Sequence, residues 1–116
     1  MAANKKFSPK KFETEIVLPT LEDIQKLMTV KGGEYSGTLD RLANFRRTAE
    51  EAGVTKEQAL LTFARKHWDA IATYVRDQAT GTRRQRSEKM EGRVDDLIVY
   101  LLLFKAMLAE GPDNDE

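Results

Sequence analysis

An all-α fold, a compact bundle of about four helices, is what this sequence predicts. Apolar residues recur at three- and four-residue spacings over most of the chain. A Thr or Ser cap precedes each apolar stripe. Of 116 residues 33% are charged, against 7 Gly and 3 Pro, which favours long helices over turn-rich strands. The expected helices cover about 20–30, 38–52, 55–78 and 87–109, with short connections that favour antiparallel neighbours. No internal repeat is visible.

Residues 1–18 read as a basic N-terminal arm. Lys5, Lys6, Lys10 and Lys11 carry no acidic residue among them up to Phe12. Such an arm is either solvated and partly disordered or a contact for phosphate or a partner. Glu13 to Pro19 reads as a short extended segment, with no strand in the chain to pair with unless pairing crosses an oligomer.

The helical domain is expected over 19–110. Thr20 caps its first helix, with Asp23 three residues on in capping-box fashion. Leu21, Ile24, Leu27 and Met28 share one face, and Gly32-Gly33 is the stop signal. Thr38 caps the second helix, with Leu39, Leu42 and Phe45 as its apolar face and Gly53 as its end. Asp40 and Asn44, four residues apart, share a face. Asp40 is either a favourable first-turn charge or a cation or nucleotide contact.

The third helix opens with a capping box, Thr55-x-x-Gln58. Leu60, Phe63, Ala64, Ile71 and Val75 form its buried stripe, and Lys66 and His67 sit mid-helix beside Trp68. One His and no Cys exclude a zinc site, while a near-neutral imidazole suits acid–base work or phosphate contact. Gln78 to Arg86 is a loop whose Arg83, Arg84 and Arg86 read either as solvated surface or as an anion clamp.

The fourth helix, capped by Ser87, is expected to organise the chain. Met90, Val94, Leu97, Leu101, Phe104 and Leu108 form its core stripe, and Glu88, Glu91 and Asp95 share a roughly opposite face with Asp96 at its edge. That face can present carboxylates to a cation. The run Leu97 to Phe104 is apolar all round, so its second side calls for cover from a homo-oligomer, most simply a dimer. Residues 111–116 make a mobile acidic tail.

Net charge is zero, which argues against nucleic acid as a partner. Nothing reaches the length of a membrane span and the start has no apolar signal core, so a cytoplasmic location without membrane contact is expected.

Several motifs resemble a known group. Lys31, Glu34 and Tyr35 make a Lys-x-x-Glu-Tyr turn that leads into Asp40-x-x-x-Asn44-Phe45. The Lys66-His67 pair follows, then Glu88 and Asp96-x-x-x-Tyr100. Over about residues 20–109 this resembles small phage-type nucleotide-modification-associated proteins, distantly similar to the MazG and dUTPase-like all-α nucleoside triphosphate pyrophosphohydrolases. The resemblance implies Mg²⁺ held by helix carboxylates, with Glu88 and Asp96 in the catalytic role. Glu34, Asp40, Glu88, Glu91, Asp95 and Asp96 are the candidate metal ligands. Lys31, Tyr35, Asn44, Lys66, His67, Arg83 and Arg84 are the candidate nucleotide contacts, with Tyr35 or Trp68 stacking on the base. The chain departs from the MazG pattern, because Glu50-Glu51 is followed by Ala-Gly-Val and Gly92-Arg93 stands before Asp95-Asp96. Three functions follow: an Mg²⁺-dependent pyrophosphohydrolase, a non-catalytic protein that binds or sequesters a nucleotide (a cyclic one included), or a structural or protein-partner bundle.

Overall fold

Helix α1, Pro9–Phe12, starts at Ser8, whose Oγ accepts from the Lys11 N–H at 3.1 Å, with Pro9 in the first-turn position that suits it. It continues without a break through a π-helical turn, Glu13–Val17, into α2, Leu18–Tyr35. The other helices are α3, Ala43–Ala52, α4, Lys56–Thr80, and α5, Met90–Glu110. This computed structural model describes residues 6–35 and 40–112, with side chains described outside 30–35. The chain is all-α, and no strand occurs among the described residues.

Three expectations fail along the first helix, and one of them is its cap, since Thr20 lies inside it. The segment expected to be extended, Glu13 to Pro19, is helical, because Ser8 and Pro9 nucleate a helix ahead of it. Pro19 has no N–H to give back to the preceding turn, and the π turn lies immediately before it. Gly32-Gly33 does not stop α2, which runs on to Tyr35. Among the described residues the glycines at positive φ are Gly53, Gly81 and Gly111, which end α3, α4 and α5. The expected cap Thr38 lies outside the described residues. Asp40 opens the turn into α3, its Oδ1 accepting from the Leu42 N–H at 3.0 Å.

The capping box on α4 forms as read. Thr55 Oγ1 accepts from the Gln58 N–H at 3.1 Å, and Gln58 Oε1 accepts from the Thr55 N–H at 2.9 Å. Ser87 does not cap α5, which begins two residues later than expected, after Lys89 and without a side-chain cap.

The helices α3, α4 and α5 close around Leu42, Phe45, Leu60 and Met107, with Phe63, Tyr100, Leu103 and Phe104 packed against them. Phe45 meets Phe63 and Tyr100 edge-on, with ring centroids 5.9 and 6.2 Å apart. Helix α5 runs antiparallel to α4, since Lys56 reaches Gly111 at one end and His67 meets Asp96 further along. Helix α2 lies along α5 in the same direction, Asp23 acting on Asp95 while Leu27 and Met28 share a cleft with Val99 and Leu103.

The core face of α5 is rotated from the one expected. Val94, Leu101 and Leu108 are exposed, and the buried side is Tyr100, Leu103, Phe104 and Met107. An all-apolar run carries no phase, so spacing could not say which of its faces points inward. Leu21 and Val75, also expected inside, are exposed as well.

Candidate functional site

Between α2, α3, α4 and α5 lies a cleft of about 360 Å³. Its apolar wall is Leu27, Met28, Phe45, Phe63, Val99, Tyr100 and Leu103. Its polar groups are Arg41, Asn44, Lys66, His67, Glu88 and Asp96. Helix phase explains the gathering. Asp96, Tyr100 and Leu103 are three or four residues apart, so one face of α5 carries acid, phenol and apolar wall in turn. Phe63, Lys66 and His67 do the same on α4.

His67 is the polar centre. It is buried, its ring lies 5.6 Å from that of Tyr100, and its Nδ1 is 3.3 Å from Arg93 Nη1 and 3.7 Å from Asp96 Oδ2. An arginine only donates, so Nδ1 accepts and the proton of the neutral ring sits on Nε2. Burial holds the His67 pKa below its ordinary value; the cations Arg93 and Lys66 push the same way, against Asp96 and Glu88. Arg93 also lies 3.7 Å from Glu88. One guanidinium therefore stands beside both the imidazole and a cleft carboxylate.

The expected carboxylate face divides. Glu88 stands before α5 rather than on it, and with Asp96 it lines the cleft. Glu91 and Asp95 do not line it. Asp95 turns toward Asp23 on α2, and its pKa is raised first by burial, then by Asp23, Asp96 and Glu91. Asp40 leaves the group altogether. Its carboxylate takes Arg46 Nε at 2.7 Å, and Arg46 in turn holds Glu110. Glu110 stands about 21 Å of helix axis beyond Asp96. Arg46 lowers the pKa of both Asp40 and Glu110, and its own is raised by Glu110 and then Asp40. Asp40 is thus a structural ion pair. Among the described residues no three His, Asp or Glu side chains converge to hold a metal ion. The side chains of Lys31, Glu34 and Tyr35 lie outside the described residues.

The arginine loop clamps an anion that belongs to the chain. Buried Asp77 receives Arg84 Nε at 2.7 Å and Nη2 at 3.1 Å, and Arg86 Nη2 at 2.8 Å. The hydrogen bond from Arg84 holds the Asp77 carboxyl below its usual range. Arg84 is therefore committed to anchoring the loop, Arg83 is exposed and does not line this cleft, and Trp68 is exposed away from the site.

No family model, curated protein or solved structure matches this chain. The site therefore rests on its own geometry. Of the expected contacts, Asn44, Lys66, His67, Glu88 and Asp96 share the cleft. Sequence reasoning missed Arg41 and Arg93. Arg93 had a signal, since it lies three residues before Asp96 and hence on the same helix face. Arg41 had none. A second hollow of about 320 Å³ adjoins the cleft at Lys66 and Glu88, lined by Arg84, Arg86, Ser87 and Arg93 among others.

Proposed function

We propose that the chain binds a nucleotide in the four-helix cleft and acts on it as an Mg²⁺-dependent nucleoside triphosphate pyrophosphohydrolase. The observation that supports this most is the meeting of Asn44, Phe45, Lys66, His67, Glu88, Asp96 and Tyr100 in one cleft from three helices and a loop. These are residues that the sequence resemblance picks out. The volume suits a small-molecule site. The Tyr100 and Phe45 rings offer faces and edges to a base, while Lys66 and Arg41 offer charge to phosphates.

The donor set fits magnesium. That ion is commonly held by one or two carboxylates together with substrate phosphates, and Glu88 and Asp96 supply two. Bound there it would neutralise phosphate charge and lower the pKa of a water. Asp96 stands ready to take the water's proton as its oxygen adds to the α-phosphorus and pyrophosphate leaves. Asp96→Asn should abolish turnover and leave the helical circular dichroism unchanged; turnover that survives the substitution rules this chemistry out.

A second reading has its own support. Among the described residues two of the expected carboxylates line the cleft, Glu88 and Asp96, and Glu88 is near Arg93. A protein that binds a nucleotide and does not cleave it fits that arrangement. Retention of intact nucleotide in EDTA distinguishes it from the enzyme.

A further inference from the structure

The furrow between α4 and α5 continues past the cleft. On α4, Phe63, Lys66 and His67 line the cleft, while Lys66, Ala70 and Thr73 line the second hollow of about 320 Å³. These residues are three or four apart and so form one stripe. On antiparallel α5 the matching stripe is Tyr100 and Asp96 at the cleft, then Arg93 and Met90 at the hollow. Cleft and hollow are therefore two parts of one furrow, meeting at Lys66 and Glu88. From Phe63 to Thr73 it follows about 15 Å of helix axis.

Its character changes along that length. The cleft end has the rings of Phe45, Phe63 and Tyr100. The hollow has no aromatic ring among its described lining residues. Four cations, Lys66, Arg84, Arg86 and Arg93, stand there with two carboxylates, Asp69 and Glu88. Asp77 behind them takes both Arg84 and Arg86, so one carboxylate answers two guanidinium groups and the cations still outnumber the acids. Arg86 is held in advance of any ligand. It lies over the Tyr74 ring at 4.9 Å and donates to Asp77 Oδ2 at 2.8 Å and to the Arg84 carbonyl at 3.3 Å. Its other N–H groups have no acceptor among the described residues. Arg93 rests between His67 and Glu88. With side chains only 27% and 17% exposed, these two arginines lose little freedom on binding, and their charge is partly shielded from water.

We propose that the hollow is an oxyanion site for linked phosphates, taking the outer phosphates of a nucleotide whose base lies among the rings of the cleft. The inference rests on the nucleotide reading of the cleft. Arg86 and Arg93 offer planar forks of N–H groups that match phosphate oxygens, and Lys66, common to both parts, adds a charge where the phosphate chain passes between them. The order of the furrow also selects the ligand class. Rings at one end and cations at the other fit a linear nucleoside di- or triphosphate. A cyclic dinucleotide carries a base at each end with phosphates between, and the hollow offers no ring to its second base.

Calorimetric titration of the full chain in EDTA tests this, with inorganic triphosphate and with the common ribo- and deoxynucleoside 5′-mono- and 5′-triphosphates. Without metal, the cations of the hollow must make the contact themselves. A triphosphate should bind at least about tenfold more tightly than its monophosphate, and inorganic triphosphate should bind and compete with it. Arg86→Gln should remove most of that preference. Because Arg86 also anchors its loop, Lys66→Gln is the second variant; Lys66 makes no ion pair within the described bundle, and its loss should reduce the preference too. A triphosphate bound no more tightly than its monophosphate overturns the hollow site and leaves the cleft reading standing. So does a preference that survives both substitutions. Inorganic triphosphate that binds through Arg86 and Lys66 while no nucleotide binds would keep the oxyanion site, with a free anion as its source, and overturn the nucleotide reading. If nothing binds, both fall.

Discussion

His67 couples the cleft to pH. Its folded pKa lies below the unfolded value, so the unfolded chain binds the extra proton as pH falls through about 6.5. Stability is therefore full above that pH and declines with acid. Asp95 works the other way, since its raised pKa favours the folded form as acid is added. Comparing the natural chain with His67→Gln cancels the Asp95 contribution. The natural chain should lose more melting temperature between about pH 7.5 and 5; parallel losses would show that His67 titrates freely. Lys66 makes a different point. It is exposed and makes no ion pair within the described bundle, so Lys66→Glu should leave unfolding unchanged and weaken nucleotide binding at least about tenfold. Calorimetric titration that finds equal affinity removes Lys66 from the site. The Lys66-His67 pair was legible in the sequence as chemistry, but its partner Arg93 was not read, because an arginine on a charged helix is usually surface.

At the scale of elements, caps and glycines were the readable part. Thr55 with Gln58 at the start of α4 and Gly53 at the end of α3 fixed those boundaries, since each acts through backbone within a few residues. The phase of α5 was not readable, because Leu97 to Phe104 offers apolar side chains in every direction and the choice is made by α3 and α4. The ends of α4 and α5 are tied by fully buried Lys56, whose Nζ gives a hydrogen bond to the Gly111 carbonyl at 2.8 Å. Lys56→Met should cost about 1–3 kcal/mol in urea unfolding, as that carbonyl loses its donor. No change would mean that water replaces the ammonium. Asp77 ties the loop of residues 81–89 to α4 in the same manner. Asp77→Asn should speed amide hydrogen exchange in that loop while α4 keeps its protection; unchanged loop exchange would show that Arg84 and Arg86 do not hold it.

The whole molecule joins a three-helix core to a long first helix, and the cleft lies where the two meet. Helical class and helix number follow from composition and spacing. The convergence of distant residues is set by tertiary contact, so only a resemblance between motifs could anticipate it. No helix among the described residues is long and apolar enough to cross a membrane. The central claim is that the cleft takes a nucleotide, and one experiment meets it directly. The protein is incubated with a panel of ribo- and deoxynucleoside triphosphates and cyclic dinucleotides, first with Mg²⁺ and then with EDTA. After filtration, ion-exchange chromatography scores what is consumed and what is retained. One nucleotide should be converted to its monophosphate with Mg²⁺, or be retained intact, and at about 100 times its Kd it should add about 2.7 kcal/mol of stability. A panel in which nothing is consumed, nothing is retained and no melting temperature moves would contradict the account and favour a structural or protein-partner bundle.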